Sequence, residues 1–205
     1  MDISIFKKDC IYKEPDIIVQ EHLIDGTSFF FDTIRRGEEF EFKKDLAKSL
    51  GAHIRDIVIV GSGKLGFSIK PNKDIPSFYQ FKKFDFDHDR NIEEEKSDLD
   101  VAIVSSSIFD RQLVNIYEHT NSYSNGDYKG SNKNSFANYI LKGWLRPDYI
   151  PNDYSISPEI ESVQEKYKMK YGRNVNIGIY KSWYFFEKYH QNNIKNIQLN
   201  LIAKS

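Results

Sequence analysis

The central segment of the sequence runs from Ile57 to Ser68 and reads IVIVGSGKLGFS. Its first four residues are all β-branched and apolar, which is typical of a strand covered on both faces of a sheet. A turn of small residues follows directly and contains Gly61, Ser62, Gly63 and Gly66. Glycine lets backbone N–H groups approach a bound anion closely, and the serine adds a hydroxyl donor. The segment therefore predicts a strand that leads into a phosphate-binding turn.

Two alternating carboxylates stand at the head of a second apolar run. The sequence Ser97-Asp98-Leu99-Asp100 is followed by Val101 to Val104. Residues i and i+2 of a strand point to the same side, so both carboxylates are expected to enter one space. Their mutual repulsion is relieved by a divalent cation, and Mg²⁺ prefers carboxylate, phosphate and water oxygens. Taken alone, this short pattern is also typical of a capped strand entry with a solvated carboxylate.

The glycine turn leaves several interpretations open. It lacks the spacing of a Walker A loop. Residues 61–66 match Gly-x-Gly-x-x-Gly, but the acidic residue expected about 20 positions later after a second strand is missing. A dinucleotide-dependent oxidoreductase is therefore a weak alternative, and an ordinary strand-exit turn is another. Lys64 lies within the turn, where it offers a point charge to a triphosphate.

The two segments together resemble the nucleotidyltransferase superfamily of the polymerase-beta type. Its signature is an apolar strand, Gly-Ser, a later glycine, and Asp-x-Asp on the next strand. The matching positions are Gly61, Ser62, Gly66, Asp98 and Asp100. The resemblance covers residues 45–110 well and 174–180 loosely. It implies an α/β (α+β) nucleotidyltransferase fold, with a mixed central sheet flanked by helices.

The resemblance also implies an activity, which is Mg²⁺-dependent (or Mn²⁺-dependent) transfer of a nucleoside monophosphate from a nucleoside triphosphate to a hydroxyl. The acceptor is a nucleotide, an oligonucleotide, an RNA or DNA end, or a partner protein. Bacterial members include synthases of nucleotide signals in anti-phage defence and antitoxins that modify a toxin. Asp98 and Asp100 are the implied metal ligands and catalytic residues. The implied nucleotide-binding residues are Gly61, Ser62, Lys64, Gly66 and Ser68.

Two departures from the family pattern matter. The long gap between Ser62 and Asp98 makes residues 69–97 a polar insertion. The family usually places a third carboxylate on a later strand, but the predicted strand 174–180 has Asn176 at that position. An amide oxygen is a weaker metal ligand, so the acid would come from elsewhere, with Asp85, Asp87 and Glu187 as candidates. The alternative is a catalytically inactive module that binds a nucleotide or a partner protein.

Composition fits one domain over residues 1–205, with 40% hydrophobic residues and 15% aromatic residues to supply a core. The net charge of −1 means that a nucleic-acid surface would have to be a local patch. A single cysteine, Cys10, fits a reducing compartment. Without an apolar stretch of about 20 residues or a signal peptide, the expected location is cytoplasmic, with no membrane contact.

Local patterns predict the remaining elements. Capping residues and apolar spacing predict helices at 16–24, 37–50, 110–119, 136–145 and 157–172, and a last one from Ser182. Residues 1–15 read as an irregular lead-in, and residues 121–134 as a loop. The Phe29–Phe31 run fits either a strand or a packed loop.

Overall fold

A computed structural model describes residues 2–72, 78–124, 133–154 and 157–203 of the protein. The chain divides into two compact units. Unit 1 comprises Met1–Phe42, Ile59–Asp100 and Glu187–Ser205, and unit 2 comprises Lys43–Val58 and Val101–Phe186. The predicted glycine turn and both predicted acids belong to unit 1. The assignment of residues 1–205 to a single domain stays a prediction.

Helices and strands alternate along the described residues. The α-helices are α1 (Ile3–Tyr12), α2 (Pro15–Ile18), α3 (Glu39–Leu50), α4 (Gly61–Leu65), α5 (Phe86–Arg90), α6 (Ser106–His119), α7 (Lys133–Leu141), α8 (Pro158–Tyr171) and α9 (Trp183–Ile202). The strands are β1 (Ile57–Val60), β2 (Phe67–Pro71), β3 (Tyr79–Lys83), β4 (Leu99–Val104), β5 (Trp144–Leu145) and β6 (Val175–Tyr180). π-Helical turns occupy Val19–Ile24 and Phe30–Ile34.

The central sheet has the strand order β1-β4-β6-β5. Its edge strand β5 runs antiparallel to β6, with Trp144 opposite Tyr180. Within β1, Ile57 and Ile59 are almost fully buried, as the run of β-branched residues predicts for a covered strand. The chain therefore has a mixed α/β architecture built on a mixed sheet with helices, and the predicted structural class is confirmed at this level.

The predicted insertion at 69–97 contains regular structure. Strands β2 and β3 form an antiparallel hairpin in which Phe67 lies opposite Lys83. Helix α5 follows, and residues 91–96 are exposed and reach the start of β4. Of the predicted insertion, residues 73–77 lie outside the described residues.

The expectation of an irregular lead-in over residues 1–15 is wrong, because residues Ile3–Tyr12 form α1. Asp2 caps this helix by accepting a hydrogen bond from the Ser4 N–H at 2.7 Å. Phe6 and Cys10 lie one turn apart on the same face, and both are fully buried. The core of unit 1 gathers Phe6, Cys10, Ile18, Val19, Leu23, Leu65, Phe67, Ile194 and Ile197. Helix α1 thus packs against the segment that carries the glycine turn.

Several other predictions can be compared with the structure. The helix predicted at 157–172 is confirmed as α8, with Ser157 as its N-cap and left-handed Gly172 as its C-cap. The helix predicted at 136–145 is displaced, since α7 ends at Leu141 and the left-handed Gly143 (φ +66°) leads into β5. The Phe29–Phe31 run, left open above, enters a π-helical turn. Of the predicted loop 121–134, residues 125–132 lie outside the described residues.

Candidate functional site

The glycine turn joins β1 to the short helix α4. Gly61 begins this helix with φ +63°, and Gly66 ends it with φ +86°, so both lie in the left-handed region that favours glycine. The Gly66 N–H donates to the Ser62 carbonyl at 2.8 Å, which closes the turn. A β-carbon at position 66 would lie 2.8 Å from the Phe29 ring, so this position has no room for a side chain.

The Asp100 carboxylate lies against the backbone of Gly61. A β-carbon built at Gly61 would lie 2.6 Å from Asp100 Oδ2 and 3.5 Å from Asp100 Cγ. Both residues belong to unit 1. The structure thus brings together the beginning of the glycine-serine turn and one of the two acids at the head of β4.

The intervening residue Leu99 indicates how Asp100 is oriented. Leu99 is fully buried, and its Cδ1 atom would lie 2.9 Å from a β-carbon at Gly63. Asp98 and Asp100 on either side of it are only partly buried. Because neighbouring residues in a strand point in opposite directions, Leu99 faces the core while Asp100 points to the other side. Asp98 precedes the first residue of β4, so the shared orientation of the two carboxylates stays a prediction.

Lys64 is placed differently from the other residues of the turn. Its side chain is only 4% exposed, and its ammonium donates to the Gly26 carbonyl and, at 3.5 Å, to the Ile24 carbonyl. The buried Ser28 hydroxyl donates to the Gly63 carbonyl at 3.2 Å. Residues 24–28 and α4 are therefore tied together by polar side chains from both sides. The Lys64 ammonium therefore points into unit 1. Its contact with a triphosphate stays a prediction.

The remaining predicted nucleotide contacts, Ser62 and Ser68, are both partly buried. Ser62 is the second residue of α4, directly after the glycine that contacts Asp100. Ser68 lies on β2, opposite Lys82 in the hairpin. The hairpin thus begins directly after Gly66 and carries the last of the predicted nucleotide-binding residues.

The middle of the insertion, at Phe84 and Asp85, contacts both the glycine turn and the last residue of the insertion. The Phe84 N–H donates to the Gly66 carbonyl at 2.9 Å. The Asp85 N–H donates to Ser97 Oγ at 3.0 Å, and the Ser97 N–H donates to Asp85 Oδ1 at 2.8 Å. Asp85 has φ +59°, in the left-handed region that non-glycine residues seldom occupy. Ser97 directly precedes Asp98, so these contacts lie next to the predicted metal ligands.

Asp98 and Asp100 are the two predicted metal ligands of the site. Among the residues that the structure describes, neither acid belongs to a group of three His, Cys, Asp or Glu side chains whose ligand atoms all lie within 4.8 Å. Asn176 is exposed on β6, the neighbour of β4 in the strand order. The candidate Asp87 instead pairs with Lys82 at 3.1 Å. A cation bound here by the described residues would have two carboxylates as its predicted ligands, and its other positions would be left to substrate and water.

A group of potential ligands that sequence reasoning missed lies between α1 and the π-helical turn at Val19–Ile24. It consists of Asp9, Glu21 and His22, whose ligand atoms lie within 4.8 Å of one another. His22 Nε2 lies 2.8 Å from Asp9 Oδ2, and Lys13 pairs with both carboxylates. Burial alone would raise the pKa of Asp9, but hydrogen bonds from His22 and Lys13 outweigh it and lower that pKa. Lys13 and the contact between His22 and Asp9 hold the group together, and its scattered positions give no motif in the sequence.

Comparison with protein-family models, with curated proteins and with solved structures found no significant match to this chain. Among the helices in the described ranges, none is both long enough and apolar enough to cross a bilayer. The function is therefore argued from the residues themselves.

Proposed function

We propose that this protein has a nucleotidyltransferase fold and transfers a nucleoside monophosphate from a nucleoside triphosphate to a hydroxyl acceptor. The contact between the Asp100 carboxylate and Gly61 supports this proposal most directly. It brings a carboxylate and a glycine-serine turn to one place, although Gly61 and Asp100 are 39 positions apart in the sequence.

In the proposed site, Asp98 and Asp100 hold Mg²⁺ or Mn²⁺. Two carboxylates on one side of a strand repel each other, and a divalent cation neutralises them. The triphosphate would lie between these acids and the turn, where the Ser62 hydroxyl and the turn N–H groups donate hydrogen bonds to its oxygens. Lys64, with its buried ammonium, would fix the shape of α4 for this contact.

The proposed reaction is an in-line displacement at phosphorus. The acceptor hydroxyl forms the new P–O bond to the α-phosphate, the bond to the β-phosphate breaks, and pyrophosphate leaves. When bound, the metal would lower the pKa of the attacking hydroxyl and neutralise charge on the phosphates. The acceptor is a nucleotide, an oligonucleotide, an RNA or a protein, and synthesis of a nucleotide signal in anti-phage defence is one such role.

The test compares Asp98→Asn and Asp100→Asn with wild-type protein. The measurements are pyrophosphate release from labelled nucleoside triphosphates with Mg²⁺, and Mn²⁺ binding followed by electron paramagnetic resonance. Each amide variant is nearly isosteric but loses a negative charge, so we expect turnover to fall by at least about 100-fold. Glu93→Gln serves as the control, because Glu93 is an exposed acid five residues before Asp98. Equal turnover in the wild type and in both amide variants would refute the metal assignment.

The second candidate function is a non-catalytic module that binds a nucleotide or a partner protein. The observation that favours it is that no third carboxylate gathers with Asp98 and Asp100 in the described residues, and that position 176 carries an amide. Calorimetry with a triphosphate and Mg²⁺ separates the two functions. Binding without pyrophosphate release over a panel of acceptors supports the module, and release supports the enzyme.

A further inference from the structure

We propose that Asp85 and Ser97 form a hydrogen-bonded pair that positions Asp98 and Asp100 for metal binding. This inference rests on the proposed function of the two acids. It assigns a role to two residues of the insertion, which the family resemblance leaves without one. In this role, Asp85 acts through Ser97 and is a positioning residue.

The pair fixes the residue from which β4 begins. Ser97 uses both its N–H and its hydroxyl on Asp85, at 2.8 Å and 3.0 Å. Residues 91–96 before it are all exposed, so they provide little packing to hold the strand entry. The two hydrogen bonds therefore supply the restraint that the preceding segment lacks. Because Asp98 follows Ser97 directly, this restraint reaches the first acid through one peptide bond.

Asp85 is itself held in place by its neighbour Phe84. The Phe84 ring is only 6% exposed and contacts the rings of Phe29 and Phe30 at centroid distances of 5.8 Å and 6.2 Å. Its N–H donates to the Gly66 carbonyl at the end of α4. The restraint on β4 thus starts from the same helix whose first residue, Gly61, contacts Asp100. A chain of contacts thus leads from the end of α4 through Phe84, Asp85 and Ser97 to β4, and the contact of Asp100 with Gly61 leads back to the start of α4.

The backbone of Asp85 indicates why this residue type is used. Its φ of +59° is costly for most side chains, while aspartate and asparagine tolerate it best among non-glycine residues. Glycine would relieve the strain but has no side-chain oxygen to accept the hydrogen bond from the Ser97 N–H. A strained residue persists only where its surroundings over-determine it, and such residues cluster at functional sites.

Three variants distinguish positioning of Asp98 and Asp100 by the pair from a direct effect of the Asp85 charge. Mn²⁺ binding is followed by electron paramagnetic resonance with Mn²⁺ alone as the probe, and thermal unfolding is measured in parallel. Asp85→Gly and Ser97→Ala each remove one hydrogen bond, and we expect each to weaken Mn²⁺ binding about tenfold. Asp85→Asn keeps the acceptor oxygen and the tolerated backbone, so its affinity should stay within about twofold of wild type. Ser105→Ala is the matched control, because it removes a helix cap at the other end of β4 and should lower only the melting temperature.

Each result decides the matter. Loss of affinity in Asp85→Gly and Ser97→Ala, with recovery in Asp85→Asn, supports the inference. Wild-type affinity in both deletion variants, with a lower melting temperature, shows a merely structural pair and overturns it. Equal losses in Asp85→Asn and Asp85→Gly also overturn it, because they would show that the charge acts directly. Wild-type protein that binds no Mn²⁺ overturns the proposed function, and the inference falls with it.

Discussion

The substitution Gly61→Ala tests the contact on which the proposed site depends. An alanine there has to adopt φ +63°, which costs roughly 1–2 kcal/mol for a residue with a β-carbon. Its β-carbon would also lie 2.6 Å from Asp100 Oδ2, and an ordinary van der Waals contact begins at 3.4 Å. The carboxylate oxygen therefore has to move by about 0.8 Å. Since it is the end of a rotatable side chain, this movement adds little to the loss of stability.

The same movement is large for a metal ligand. Mg²⁺ binds oxygen at about 2.0–2.1 Å in a nearly ideal octahedron, and a plausible site keeps its distances within about 0.2 Å. A misplacement of about 1 Å at a catalytic centre costs about 100-fold in rate. We therefore expect Gly61→Ala to reduce turnover about 100-fold and to weaken Mn²⁺ binding strongly, while the free energy of unfolding falls by only about 1–2 kcal/mol.

The chain offers a matched control in Gly172→Ala. Gly172 has φ +61°, and a β-carbon there would meet nothing within 4 Å. The backbone cost is therefore the same as at Gly61, without the collision. Urea unfolding should report similar losses of stability for the two variants, whereas pyrophosphate release and Mn²⁺ binding should fall only in Gly61→Ala. Wild-type Mn²⁺ binding by Gly61→Ala would refute the reasoning, and so would an equal loss of binding in Gly172→Ala.

Three further predictions concern buried polar groups. Burial lowers the pKa of His190 to about 4, and its Nε2 atom is inaccessible to solvent. As the pH falls, the unfolded chain therefore takes up the proton before the folded chain does. The free energy of unfolding should fall by about 3 kcal/mol between pH 6.5 and pH 4. Urea unfolding of His190→Gln across this range should show a shallower pH dependence; an unchanged slope would contradict the assignment. Burial, with a smaller contribution from Asp9, raises the pKa of the Cys10 thiol to about 12, so iodoacetamide at pH 8 should label it only after unfolding. Lys64→Met should lower the free energy of unfolding by about 1–3 kcal/mol, because the Gly26 carbonyl loses a donor, and should weaken triphosphate binding in step with this loss, because Lys64 fixes the shape of α4. A large loss of affinity at unchanged stability would show instead that the ammonium reaches the phosphates.

Elements with strong local signals could be predicted from the sequence. Strand β1 follows from four β-branched residues in a row, and α8 follows from a Ser-Pro start and a glycine stop. Strand β4 is a further example, since an apolar run directly follows Asp98-Leu99-Asp100 in the sequence. In each case the deciding interactions lie within a few residues of one another.

Features that depend on distant residues could not be predicted. Helix α1 is built on Phe6 and Cys10, whose burial depends on Ile194 and Ile197 near the other end of the chain. The burial of Lys64 depends on carbonyls about 40 residues earlier, at 24 and 26. The Asp85–Ser97 pair depends on a left-handed aspartate that no sequence pattern marks. Propensity and periodicity carry no information about such contacts.

The structure also bears on the interpretation of the glycine turn as a dinucleotide-binding turn. In a dinucleotide-binding turn, the glycines leave room for a pyrophosphate and for helix packing. Here the space beside Gly63 is taken by the Leu99 side chain and the space beside Gly66 by the Phe29 ring. Only Gly61 faces a polar group, and that group is the Asp100 carboxylate, which repels a phosphate unless a cation lies between them. The glycine pattern is thus explained by packing at two positions and by an acid at the third. This argues against a dinucleotide-binding turn and agrees both with the proposed triphosphate site and with an ordinary strand-exit turn.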